Sequence, residues 1–173
     1  MQNQIKKNIA FTGSRKGFNN KTLVQTIARS VAQAGHCVLV GCASGVDAAI
    51  RSVVPNAKVF SVASPSAGSV CSPAQALARR SMSMVSASSV LIGFASVACP
   101  AGVCPSAHFS GGGSGTWASL AYAVSKGLQV FVFCADGVAL PSWSGGQWVR
   151  AVPSGVWSRA WSFVPSACQL SLI

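Results

Sequence analysis

Gly111-Gly-Gly-Ser-Gly-Thr-Trp-Ala-Ser-Leu-Ala121 is a glycine-rich turn that runs straight into an apolar-periodic segment ending at Gly127. An apolar strand at 90–94 precedes it across a loop at 95–114, and a second strand follows at 128–133. The order strand, glycine loop, helix, strand is the unit from which parallel sheets are built. The glycines let a backbone approach a ligand closely. A helix starting at Ser114 aims its free N–H groups and the positive end of its dipole at the same place. That combination suits a phosphate.

The alternation continues upstream. Residues 9–12 form a short apolar run closed by Gly13. Leu23, Val24, Ile27, Ala28 and Val31 are spaced for a helix over 22–34, with Asn20 as N-cap and Gly35 as stop. A strand at 37–40, a helix at 45–54, a strand at 59–63 and a helix at 73–87 with Pro73 in its first turn complete the series. The expectation is an α/β fold, Rossmann-like, with a mostly parallel sheet between two helical layers (α/β/α). Its ligand would bind beyond the carboxyl ends of the strands. The loops at 13–17, 41–45 and 95–115 all fall at that edge.

Composition narrows the chemistry. The 173 residues carry a net charge of +11, because Asp47 and Asp136 are the sole acidic side chains and glutamate is absent. Such an excess favours anionic ligands, nucleotides and nucleic acids alike. It leaves little for acid–base work, so the chain reads as a binder first and an enzyme second. No apolar run is long enough for a membrane span or a signal-peptide core, which places the chain in the cytoplasm with no membrane partner. The seven cysteines are scattered, several within apolar runs, and read as small buried hydrophobes rather than a disulfide framework.

The division expected is a nucleotide-binding domain over 1–138 and a C-terminal extension over 139–173. The extension holds four of the five tryptophans, Trp143, Trp148, Trp157 and Trp161, with no clear period. It reads as a wrap over the domain or an oligomer partner, or alternatively as stacking platforms for bases.

Three segments give the chain a family likeness: Ile9-Ala-Phe-Thr-Gly-Ser-Arg15, Gly41-Cys-Ala-Ser-Gly-Val-Asp-Ala-Ala-Ile50 and Gly112-Gly-Ser-Gly-Thr-Trp-Ala-Ser119. With Arg79-Arg80 ahead of the fourth strand, the chain resembles the SMF/DprA–LOG superfamily (SLOG) of Rossmann-like nucleotide-binding domains over about residues 8–134. The resemblance implies a nucleotide ligand and no other cofactor. LOG-type members are phosphoribohydrolases with a glutamate held to be catalytic where this chain has Ser119. A serine hydroxyl can neither stabilise an oxocarbenium-like centre nor activate water as a carboxylate does. DprA-type members bind single-stranded DNA, and other SLOG domains sense nucleotide-derived signals such as ADP-ribose derivatives.

The nucleotide- and phosphate-binding candidates are Gly13, Ser14, Arg15, Gly45, Asp47, Arg80, Gly112, Gly113, Ser114, Gly115 and Thr116. Gly112 to Thr116 would hold phosphate through N–H groups and hydroxyls, and Arg15 through a bidentate contact. Asp47 either caps helix N–H groups or takes ribose or adenine donors, and it is the base if the chain is an enzyme. Arg79 and Arg80 point about 100° apart on a helix, so at most one faces the ligand, and Arg80 is preferred. Cys99, Cys104 and His108, with Cys71, are too loosely spaced for a zinc site, and no metal is assigned. The loop over 95–110 reads as a flexible lid bringing His108 to a phosphate and Phe109 to a base. His36 reads as structural, and Asp136 as a turn residue. Three functions compete: a non-catalytic sensor or sequestering protein for a nucleotide or nucleotide-derived signal, a single-stranded DNA or RNA binder, and a nucleoside 5′-monophosphate phosphoribohydrolase using Asp47. A homo-oligomer is expected.

Overall fold

The computed structural model describes residues 5–62, 71–110 and 113–166. Seven strands form one sheet in the order β3-β2-β1-β4-β5-β7-β6. They are β1 Asn8–Gly13, β2 Cys37–Gly41, β3 Lys58–Phe60, β4 Val90–Ala95, β5 Gln129–Cys134, β6 Gly146–Arg150 and β7 Ala160–Pro165. β1 to β5 are parallel, and β7 and β6 add antiparallel at the β5 edge. Among the described residues the four α-helices are α1 Lys21–Gln33, α2 Val46–Arg51, α3 Pro73–Ser86 and α4 Gly115–Ser125. The fold is α/β with a mostly parallel sheet.

Local chemistry sets the helix starts. The Asn20 side chain accepts from Leu23 N–H at 2.9 Å, as its sequence position predicts. α3 opens on a capping box: Ser72 Oγ accepts from Gln75 N–H, and Gln75 Oε1 accepts from Ser72 N–H. Pro73 follows at the first helical position, where its missing N–H costs nothing.

Period-2 alternation in β1 sends Ile9 and Phe11 to one face of the sheet and Ala10 to the other. α1 and α2 pack on the Phe11 face, while α3 and α4 pack on the Ala10 face. α4 is buried nearly all round, from Thr116 to Ala123, which explains its run of small residues. On the Phe11 face, Phe94 stacks on Phe133 at 5.1 Å between ring centroids and takes the edge of Phe18 at 5.3 Å. Burying one such ring contributes ~1.5–3 kcal/mol.

Residues 139–166 contribute two strands to the sheet. β7 pairs with β5 through Phe131↔Ser162, Val132↔Trp161 and Phe133↔Ala160, so this segment extends the same sheet. Trp143, Trp148 and Phe163 pack together against Trp117 of α4. Trp157 lies across Phe131 and Phe133 on the opposite face. Among the described residues no helix is long and apolar enough to cross a membrane.

Candidate functional site

A cleft of about 440 Å³ opens at the carboxyl ends of β1 and β4. Its walls are the turn after β1, the start of α4, one face of α3 and the floor at Asp47. Gly13, Ser14, Arg15, Asp47, Arg80, Gly113, Ser114, Gly115 and Thr116 all line it. Of the remaining candidates, Gly112 lies outside the described residues, and Gly45 stands behind the wall.

The turn after β1 is tied down on three sides. Ser14 N–H donates to Phe94 O at 3.1 Å, and Ser96 N–H donates to Ser14 Oγ at 3.0 Å. Val46 N–H donates to Ser14 O at 3.3 Å. The Ser14 hydroxyl is therefore committed to joining the ends of β1 and β4. Gly45 makes the third tie possible. It has φ +72°, and a Cβ there would collide with the carbonyls of Ser14 and Arg15. Gly45 thus acts by letting the β1 turn lie flat on the start of α2. Arg15 is exposed at the cleft wall.

α4 supplies the opposite wall. Ser114 is its N-cap, with its side chain accepting from Trp117 N–H at 3.4 Å. Gly115 and Thr116 belong to the first turn, whose N–H groups have no partner within a helix. Both residues face the cleft.

Asp47 and Arg80 form the floor. Asp47 is 4% exposed, and its Oδ2 accepts from Ala43 N–H at 3.3 Å. Arg80 Nη1 lies 3.8 Å from the same oxygen and 3.6 Å from Cys42 Sγ. Burial pushes the Asp47 carboxyl above its ordinary value, against the pull of Arg80, the Ala43 N–H, Arg51 and Arg15. Arg80 Nε is buried and has no acceptor among the described residues. Gly41 leaves room for this pair, since a Cβ there would lie 2.7 Å from Arg80 Nη1. Arg79 is exposed and does not line the cleft, whereas Arg80, about 100° round the helix, does.

The loop after β4 is tied to its surroundings at two carbonyls. Trp117 Nε1 donates to Val97 O at 2.8 Å, and Trp143 Nε1 donates to Val103 O at 2.9 Å. With Val103 buried beneath it, the loop is fastened to α4 and to the segment before β6. Phe109 reaches the cleft and meets Tyr122 edge-on at 6.0 Å, while His108 is exposed and does not line it. Cys99 points its thiol back at Pro100 and Val103 carbonyls. Among the described residues, no three His, Cys, Asp or Glu side chains gather as metal ligands. His36 Nδ1 accepts from Lys7 N–H far from the cleft, and Asp136 is exposed beside Arg159.

The wall that sequence reasoning missed is α3. Ala74, Leu77, Ala78, Ser81 and Met84 present one helical face to the cleft. Their spacing of three and four was legible, but it reads equally well as a face buried against the sheet. No family model, curated protein or solved structure matches this chain.

Proposed function

We propose that this chain is a Rossmann-like domain that holds a phosphate-bearing nucleotide, or a signal derived from one, without turning it over. The observation that carries this reading is the convergence of Arg15, Arg80 and the first turn of α4 on one cleft. The cleft sits between β1 and β4, where the connections leave in opposite directions along the sheet. Ligands in open parallel sheets bind at such a switch point. The anion would take N–H donors from Gly115 and Thr116 and a charged contact from Arg15. The apolar face of α3 and Phe109 suit a base or sugar.

The scarcity of acid–base groups supports the reading without turnover. Asp47 is the one carboxylate lining the cleft, and it is held by Arg80 and Ala43 N–H. Ser119, where LOG-type relatives would place a glutamate, is 0% exposed and donates its hydroxyl to Gly115 O at 2.8 Å. The assignment to SLOG rests on the sequence motifs, and a sensor or sequestering role follows from it by analogy.

The experiment is mass spectrometry of the denatured protein's extract, followed by thermal melts with a nucleotide panel and a short single-stranded oligonucleotide. A bound ligand raises the melting temperature by mass action. A shift with one small nucleotide, lost in Gly113→Asp, is expected. No nucleotide shift, with a salt-sensitive shift on the oligonucleotide, would replace this reading with nucleic-acid binding. Release of free base from a monophosphate, lost in Asp47→Asn, would replace it with hydrolysis.

A further inference from the structure

Cys42 follows β2 directly, at the same edge of the sheet as the cleft, and its thiol is exposed. One charged donor faces the sulfur: Arg80 Nη1 is 3.6 Å away. The Arg80 guanidinium is short of acceptors. Its carboxylate partner is 3.8 Å off, beyond hydrogen-bond length, and its Nε is buried with no acceptor among the described residues. A guanidinium carries five N–H donors that match the geometry of an oxyanion. A side chain so placed stabilises a thiolate, and it stabilises still better an oxygen anion built on that sulfur.

We propose that Cys42 is a modification site, the thiol among the described residues that reacts first with hydroperoxides and soft electrophiles, with Arg80 as its activating cation. The thiolate attacks one oxygen of the hydroperoxide. An S–O bond forms, the O–O bond breaks, and the departing oxygen leaves as hydroxide or alkoxide and takes a proton from solvent. Sulfur is oxidised to a sulfenic acid and the peroxide is reduced, and loss of the S–OH proton to solvent leaves a sulfenate. The sulfenate oxygen then lies within reach of the under-satisfied guanidinium.

The contrast with other cysteines supports the choice. The Cys42 thiol lies below its ordinary value: a backbone hydrogen bond at Val62 lowers it, burial opposes this, and Arg80 lowers it further. Burial pushes Cys99 up, and it pushes Cys134 up to about 11. Cys104 is exposed as Cys42 is, and serves as the internal reference. The proposal stands whether or not the cleft takes a nucleotide.

The test is limiting iodoacetamide on the folded full-length chain across a pH series, with peptide mapping of each cysteine. A parallel sample takes limiting hydrogen peroxide and dimedone to trap a sulfenate. Cys42 should alkylate several-fold faster than Cys104 at neutral pH, with its half-reaction at lower pH, and should carry the dimedone adduct. Arg80→Gln should bring its rate down towards that of Cys104. Alkylation of Cys42 no faster than Cys104, or a dimedone adduct chiefly on another cysteine, would overturn the proposal. If Arg80→Gln does not fold, the comparison of pH midpoints in the unmutated chain decides alone.

Discussion

Oδ2 of Asp47 lies 3.8 Å from Nη1 of Arg80, and neither side chain is more than 11% exposed. A buried ion pair with long geometry gains little over separate solvation, because desolvation of both groups offsets the attraction. Asp47 is therefore less a stabilising element than a fixed negative charge at the floor of a basic cleft.

Stability should depend on pH through this carboxyl. Burial raises the folded value above the ordinary 3.8, so the folded state binds the proton more tightly than the unfolded state. The stability this contributes is complete below about pH 3.8 and declines as pH rises through the folded value. Asp47→Asn should remove that decline. Melting temperatures of both proteins over acidic to neutral pH measure it, and parallel profiles would show that Asp47 titrates as an ordinary carboxyl.

Anion affinity should move in opposite directions at two positions. Arg15→Gln removes a charge-assisted contact of ~1.5–3 kcal/mol, weakening a nucleotide monophosphate by roughly ten- to a hundredfold. Its exposure predicts little change in melting temperature. Asp47→Asn should tighten the same ligand by removing the opposing charge. Calorimetric titration reads both, and an unchanged Kd in Arg15→Gln would move the phosphate away from this wall.

Gly45 and Gly102 share a positive φ, +72° and +85°, but only Gly45 faces backbone at close range. Gly102→Ala should cost roughly 1–2 kcal/mol of conformational strain. Gly45→Ala should exceed ~3 kcal/mol, because its Cβ also displaces the Ser14 and Arg15 carbonyls. Chemical denaturation of the two variants gives the difference, and equal losses would mean that the β1 turn yields easily.

Trp117→Phe and Trp143→Phe each keep an aromatic ring but delete the N–H that holds Val97 O or Val103 O. Each should cost about 1–3 kcal/mol, since the carbonyl loses its partner. Hydrogen exchange of amides in the 96–110 loop should accelerate in both. Unchanged exchange would mean that packing alone holds the loop.

The parallel half of the sheet was legible because its signals are local. Asn20, Pro73 and the apolar spacing of α1 declare themselves within a few residues. The glycine loops could be placed at one edge because parallel strands share a direction. β6 and β7 were hidden. Each is short and set among Ser, Gly and Pro, and the alternation Trp161-Ser-Phe163 is too brief to separate from chance. The candidate residues mostly converge on one cleft, but the part played by each depends on tertiary neighbours. Ser14 spends its hydroxyl on Phe94 and Ser96, and Gly45 works through the β1 turn. Cys42 gave no signal, because its neighbour in the fold, Arg80, lies thirty-eight positions away.

The indole tethers on the loop after β4 also have a kinetic consequence. A rim fastened before the ligand arrives has no closure step to wait for, so association should be a single phase whose observed rate climbs linearly with ligand concentration. With a net charge of +11 steering anions inward, that slope should fall as salt is added, while the tethers leave the dissociation phase comparatively insensitive to it.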